Sequence, residues 1–225
     1  MADVRKKIIG TLKGKLGDVV FRERNGKIIA YSKPKKYRKT KSVKLKKERN
    51  KFATVVQLAN IIKSIPDLYF IWKNSDLPGS NAYQRIIKNN LQLTNGADLT
   101  INNLLFPPGI DLNISLVEIN QTRNKISEIN IEIDFDNYSK EIFQESTLIG
   151  VLYKTNNSKG ISAQEKFYII QTDTQINSDS QKINLKIPVN LKLTNGDSIL
   201  GLFGLISKNK NFDTFWTSSK GFKLN

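Results

Sequence analysis

Apolar and polar residues alternate with a period of two over most of the chain after Leu99. Ile129, Ile131 and Ile133 alternate with polar neighbours, and residues 183–193 repeat the pattern. This period predicts strands with one face buried and the other in water. Further strands are expected at 110–119, 147–154, 166–172, 198–206 and 214–223. About seven short strands at this spacing predict an antiparallel β-sandwich over 97–225, of the immunoglobulin or fibronectin kind.

The middle of the chain has the three- and four-residue period of helices. Ser42 is a candidate cap for a helix that runs to about Ile65, and Pro66 ends it. Shorter helices are expected at 67–74 and 80–90. The apolar face of the first helix is expected to comprise Phe52, Val55, Val56, Ala59, Ile62 and Ile65.

A β-hairpin is predicted near the N-terminus. Residues 19–21 and 28–31 are rich in β-branched and aromatic side chains, and they flank Asn25-Gly26. This dipeptide is a strong hairpin signal because both residues tolerate positive φ. The pattern therefore predicts an α+β protein in two parts, a basic hairpin–helix module at 1–92 and the β-sandwich domain at 97–225.

The positive charge of the chain is concentrated at its N-terminal end. The net charge is +16, and residues 1–51 alone carry 19 basic and 4 acidic side chains, a net charge of +15. The rest of the chain is close to neutral. A block of this density indicates binding to a polyanion or docking on an acidic protein surface. A solvated, solubilising face is the third interpretation.

The basic block supplies the candidate site. Lysine outnumbers arginine in it, which favours diffuse attraction to phosphates over base-specific contacts. Aromatic side chains among the charges are able to stack on bases or ribose. The candidate nucleic-acid-binding residues are Lys13, Lys15, Arg22, Arg24, Lys27, Lys33, Lys35, Lys36, Arg38, Lys39, Lys41, Lys44, Lys46, Lys47, Phe21, Tyr31 and Tyr37.

Catalytic chemistry is poorly represented in the chain, which has no cysteine and no histidine. Thiolate zinc sites, cysteine nucleophiles and serine triads are therefore excluded. Residues 10–16 superficially resemble a phosphate-binding loop, but three residues separate the glycines where four are needed, and Leu16 follows the lysine. We expect no enzymatic activity, no cofactor and no bound metal.

Two other groups of residues have structural interpretations. Glu132, Asp134 and Asp136 share one side of a strand, where we expect a solvated outer face; a calcium site is the alternative. Trp72 and Trp216 are expected to pack in the core or between modules rather than to serve as ligand platforms.

No targeting segment is recognisable in the sequence. The N-terminus lacks the ~7–15 apolar residues of a secretory signal, and no window reaches the ~18 apolar residues of a membrane span. We therefore expect a cytoplasmic protein, or one that lies within a virion or other assembly.

The order of certain glycine, proline, basic, apolar and aromatic residues along the chain resembles that of a known protein family. In order they are Gly14, Gly17, Val19, Val20, Gly26, Lys27, Pro34, Arg49, Phe52, Asn81, Ala82 and Tyr83. This order resembles a family of uncharacterised proteins of Bacteroidota bacteria and their mobile elements. The resemblance implies an N-terminal segment coupled to a C-terminal all-β domain, and it implies no particular activity.

These features predict a non-enzymatic protein that binds nucleic acid without sequence preference through a basic N-terminal arm, as a packaging or architectural component. The alternative is a structural subunit of a virion, filament or other assembly, whose arm docks on the sheet edge of a neighbouring subunit. The expected partner is nucleic acid or another polyanion in the first case. In the second case it is a further copy of the chain or an acidic protein surface.

Overall fold

The computed structural model has mixed α and β structure with antiparallel sheets. It describes residues 2–4, 13–24, 26–33, 42–122, 125–155, 166–175, 181–193, 197–208 and 213–224. The chain divides into two compact units, Met1–Ser42 and Val43–Asn225. Among the described residues, no helix is long and apolar enough to cross a membrane.

The described strands of the first unit form one sheet. They are β1 (Ala2–Val4), β2 (Gly14–Leu16), β3 (Val19–Arg24) and β4 (Lys27–Ser32), in the order β1-β4-β3-β2. The predicted hairpin is confirmed, because β3 and β4 are antiparallel neighbours joined by a turn at Gly26. Gly26 has a φ of +74°, which glycine adopts without steric cost.

The second unit contains helices and two further sheets. Its described elements are α1 (Val43–Ser64), α2 (Pro66–Asn74), α3 (Ala82–Leu93), β5 (Asn113–Thr122), β6 (Lys125–Asp134), α4 (Asn137–Ile142), β7 (Glu145–Thr155), β8 (Phe167–Gln175), β9 (Lys182–Lys192), β10 (Ser198–Lys208), β11 (Thr214–Trp216) and β12 (Lys220–Leu224). One sheet has the order β5-β6-β9. The other has the order β8-β7-β10, with β11 and β12 both paired to β10.

The five-stranded sheet is buried on both faces. On one face, side chains such as Val151 and Leu202 pack with Leu58 and Trp72 of the helices. On the other face, side chains such as Phe203 pack with those of the three-stranded sheet. Residues 199–207 of β10 are consequently all buried, as expected for a strand that is covered on both sides.

The sequence places a boundary between 92 and 97, whereas the two units of the structure divide between Ser42 and Val43. The reason is that α1, α2 and α3 share a core with the five-stranded sheet. An amphipathic pattern indicates that one face of a helix is buried, but it does not identify the element that covers it. The helices therefore belong with the strands that follow them.

The predicted helices are confirmed with small shifts in their ends. Pro66 lies in the first turn of α2, and the side chain of Asn81 caps α3 by accepting a hydrogen bond from the backbone N–H of Gln84 at 2.9 Å. The predicted apolar face of α1 is wrong at its start, because Phe52 is 50% exposed. The buried stripe of α1 begins at Thr54 instead.

Candidate polyanion interface

The sheet of the first unit has two chemically different faces. Residues directly opposite each other in an antiparallel ladder project to the same side, and successive residues project to opposite sides. Arg22 lies opposite Ile29, and Arg24 lies opposite Lys27. On the same side of the sheet, Lys15 of β2 lies opposite Val20 of β3, which lies opposite Tyr31 of β4. We call this side of the sheet the basic face.

The other side of the sheet is largely apolar. Phe21 lies opposite Ala30, and Glu23 lies opposite Ile28. Ile28 is only 4% exposed, and Phe21 is half-buried. This second side, which we call the apolar face, therefore contains the buried positions of the sheet.

The cations of the basic face are open to solvent. The side chains of Lys15, Arg22, Arg24 and Lys27 are exposed, and no described carboxylate forms an ion pair with any of them. A concavity of about 420 Å³ adjoins them, and its described lining includes Arg22, Arg24, Ile29 and Tyr31. Glu23 also lines this concavity, and Asp3 of β1 lies opposite Ile29 in the ladder, but the cations are more numerous. An excess of cations around a concave surface concentrates positive potential, which attracts phosphate groups.

Lys13 and Lys33 differ from the cations of the basic face. The ammonium of Lys13 lies 3.0 Å from a carboxylate oxygen of Glu23, so its charge is already balanced by a protein partner. Lys33 follows β4, is exposed, and donates a backbone hydrogen bond to the carbonyl of Asp18 at 2.7 Å. This bond closes the end of the β3–β4 hairpin.

The predicted helix cations are on the second unit. Lys44, Lys46 and Lys47 are exposed in the first turns of α1, and the first turn has no acidic residue. Cations at a helix N-terminus oppose the macrodipole, so an anion at this end would stabilise the helix. Val43 nearby is also exposed, at 82%.

The structure brings together only part of the predicted site. It places Lys15, Arg22, Arg24, Lys27 and Tyr31 on one face and Phe21 on the other. Charge and aromatic content alone did not reveal Val20 and Ile29, which lie between the cations. The remaining predicted residues, Lys35, Lys36, Tyr37, Arg38, Lys39 and Lys41, lie outside the described residues.

The acidic residues around the end of β6 are engaged by protein groups. The ammonium of Lys182 lies 3.0 Å from Glu132 and 3.9 Å from Asp134. Asp136 caps α4 by accepting the backbone N–H of Ser139 at 2.7 Å, and its hydrogen bonds with Ser139 lower the pKa of Asp136. Within the described part of the chain, no group of three or more acidic residues is placed to hold a metal ion.

The two tryptophans have structural contacts. Trp72 is completely buried, and its ring N–H donates to the carbonyl of Leu105 at 2.9 Å, so its predicted core position is confirmed. Trp216 is half-buried, and its ring N–H donates to the carbonyl of Pro108 at 3.3 Å. Neither ring therefore needs a ligand to explain its position.

Comparisons with known proteins identify no relative. No family model matches the chain, and no curated protein or solved structure matches it. The resemblance to the Bacteroidota family stays a prediction, and the functional argument depends on the geometry of the site.

Proposed function

We propose that this protein binds nucleic acid without sequence preference through the basic face, as a non-enzymatic architectural or packaging component of the cytoplasm or of a virion. The observation that carries this proposal is the projection of Lys15, Arg22, Arg24 and Lys27 from one side of a sheet without a described ion-pair partner. Side chains two residues apart on a strand are about 7 Å apart. Such an array can neutralise several phosphates of one backbone together.

The chemistry of the array favours phosphate recognition over catalysis. The chain has no histidine or cysteine to act as a base or nucleophile near neutral pH. Lysine and arginine donate hydrogen bonds but accept none, so they match the oxygen atoms of a phosphate. The exposed cations at the start of α1 add further positive charge that the same kind of polyanion would use.

The test is fluorescence anisotropy of labelled duplex DNA and single-stranded RNA against the full chain over a salt series. We compare the triple variant Arg22→Glu, Arg24→Glu, Lys27→Glu with the control Lys125→Glu, Lys186→Glu, Lys192→Glu. The control changes the net charge equally, at exposed lysines of β6 and β9. Circular dichroism establishes that both variants are folded.

We expect wild-type affinity to fall by about 0.9 log units per log unit of salt for each duplex phosphate contacted. The basic-face variant loses tenfold or more of the affinity, on the order of 1.4 kcal/mol, and has a shallower salt slope. The control variant retains most of the affinity and most of the salt slope of the wild type. Equal losses in the two variants, or no binding by the wild type at low salt, would refute the proposal.

A second candidate, a structural subunit whose arm docks on a neighbouring subunit, is favoured by the edge strand β8. In the described part of the chain, β8 pairs with β7 alone, so its outer backbone groups are available to another strand. A groove of about 390 Å³ beside it is lined in part by Asp67, Glu145 and Asp173. Asp67 is ion-paired at 2.6 Å to Lys208, which also lines the groove. The carboxylates of Glu145 and Asp173 are therefore the ones that complement a basic arm from a second copy.

Native mass spectrometry over a wide range of protein concentration tests this second candidate. We expect oligomers that Glu145→Lys with Asp173→Lys abolishes, while the control Glu118→Lys with Glu128→Lys on the other sheet retains them. Monomers at every concentration would contradict it.

We also propose that the two sheets of the second unit form a β-sandwich of the immunoglobulin or fibronectin kind. Side chains from both sheets, such as Ile131 and Phe203, share one core, and the pairings within both sheets are antiparallel. Aligned sandwiches have sheets that cross at about 30°. An experimental structure with near-perpendicular sheets would contradict this assignment.

A further inference from the structure

Tyr31 is the exposed aromatic side chain on the basic face. The residue is 39% exposed. Val20 lies directly across from it on β3, and Ile29 is two residues before it on the same side of β4. The apolar residues Val20 and Ile29 thus flank the ring, and the cations Lys15 and Arg22 lie on the same face around it.

We propose that the basic face is a stacking platform for single-stranded nucleic acid, with Tyr31 as the side chain that stacks on a base; this rests on the proposed function. An unpaired base presents its ring face, and stacking on an aromatic side chain is a principal source of affinity for single strands. Positive side chains beside the ring then hold the flanking phosphates. Tyr31, Arg22 and Arg24 border one concavity, which brings the two kinds of contact to one place.

A duplex fits this surface less well. Its bases are paired and stacked on one another, so they offer no ring face to Tyr31. Duplex contacts at a broad sheet surface are therefore limited to the backbone, where only the cations contribute. When a single strand and a duplex contact the same number of phosphates, the geometry of the face therefore favours tighter binding of the single strand.

The register of the hairpin places the two aromatic residues of β3 and β4 on opposite faces of the sheet. Phe21 projects to the apolar face, opposite Ala30, where it is half-buried. Tyr31 projects to the basic face, and its hydroxyl has no hydrogen-bond partner among the described residues. Tyr31 is accordingly the aromatic side chain of this sheet that is free to meet a base.

A competing explanation is that Tyr31 is present because aromatic residues favour strands. Tyr31→Thr separates the two explanations, since threonine is also a good strand former but has no ring. Tyr31→Phe keeps the ring, and Tyr138→Ala removes a tyrosine that is 69% exposed on the second unit. Thermal unfolding of each variant verifies that the fold is retained.

The experiment measures anisotropy of a labelled oligothymidine, a labelled oligouridine and a duplex of equal length, with the full chain, over a salt series. We expect the wild type to bind the single strands more tightly than the duplex. Tyr31→Thr weakens single-strand binding on the order of tenfold and leaves duplex binding within about twofold. It leaves the salt slope unchanged, because no phosphate contact is lost. Tyr31→Phe and Tyr138→Ala bind like the wild type.

The outcomes separate the failure of this inference from the failure of the proposed function. Equal affinity for both forms, with no selective effect of Tyr31→Thr, overturns the stacking platform while the phosphate-binding function stands. Equal losses for single strand and duplex in Tyr31→Thr also overturn it, because they indicate a structural effect. If the wild type binds neither form at low salt, both proposals fail.

Discussion

The ring of Phe203 occupies the space that a side chain at Gly150 would take. The two residues lie directly opposite each other in the ladder between β7 and β10, and a Cβ atom at Gly150 would lie 2.6 Å from Cδ1 of the ring. A Cβ atom at Gly201 would lie 2.5 Å from Cε2 of the same ring. Phe203 is completely buried, so two glycines make room for one aromatic ring between the sheets.

We expect Gly150→Ala to lower the free energy of unfolding by about 1–3 kcal/mol, because it overpacks a close-packed core. Urea unfolding measures the change in midpoint. The double variant Gly150→Ala, Phe203→Leu should be more stable than the sum of the two single changes predicts, because leucine vacates the space of the ring. Strict additivity in this cycle would show that the glycine does not accommodate the ring.

The buried pair of Lys154 and Asp197 provides a second test of the fold. Their charged atoms are 2.6 Å apart, and the side chains are 12% and 1% exposed. Lys154→Met leaves a buried carboxylate without its cation, which we expect to cost about 3–5 kcal/mol in chemical denaturation. Adding Asp197→Leu should recover most of that loss, since an apolar pair can replace a buried ion pair.

The matched control for this pair is Lys208 with Asp67, which has the same 2.6 Å separation but side chains about half exposed. Lys208→Met should cost less than about 1 kcal/mol, because water screens an exposed pair. Similar costs for Lys154→Met and Lys208→Met would mean that burial does not set the strength of the inner pair.

Tyr153 should make the stability of the protein decline at alkaline pH. Burial raises the pKa of Tyr153 above its ordinary value, and the carboxylate of Asp98, which accepts its hydroxyl at 3.1 Å, raises it further. The unfolded chain loses this proton near pH 10 while the folded chain keeps it. Stability that is complete below pH ~10 is therefore lost as the pH rises toward the raised pKa, by up to about 1.4 kcal/mol per pH unit.

Urea midpoints at pH 8 and pH 11 measure this effect. Tyr153→Phe should be about 1 kcal/mol less stable at pH 8, because it loses the hydrogen bond to Asp98, but its stability should fall less between the two pH values. Tyr138→Phe, at an exposed position, is the control and should follow the wild type. The same decline in all three proteins would refute the role of Tyr153.

Sequence pattern predicts the strands of the second unit well where one face is buried. Ile129, Ile131 and Ile133 point into the core and are completely or almost completely buried, as their alternation predicts. β10 has lost this alternation because both of its faces are covered, so its partners could not be inferred. Helix α4 was missed, since its six residues are too few to establish a helical period.

The candidate site shows a different limit. Charge density predicts that the N-terminal segment carries the basic surface, but composition says nothing about which side chains share a face. The feature of the sequence that could have assigned these side chains to the two faces is the turn, because a two-residue connection at 25–26 pairs Arg24 with Lys27. Counting outward from that pair places Tyr31 with the arginines and Phe21 against Ala30.

Lys15 and Lys13 test whether ion pairing, rather than charge alone, decides which cations bind phosphate. Lys15→Gln removes an exposed cation of the basic face, so we expect the salt slope for duplex to decrease by about 0.9. Lys13→Gln should change the slope less, because Glu23 already balances Lys13 at 3.0 Å. Glu23→Gln removes that balancing charge and should increase both affinity and slope in the same anisotropy titration. Equal effects of Lys13→Gln and Lys15→Gln, or weaker binding by Glu23→Gln, would mean that the arrangement of the face does not govern binding.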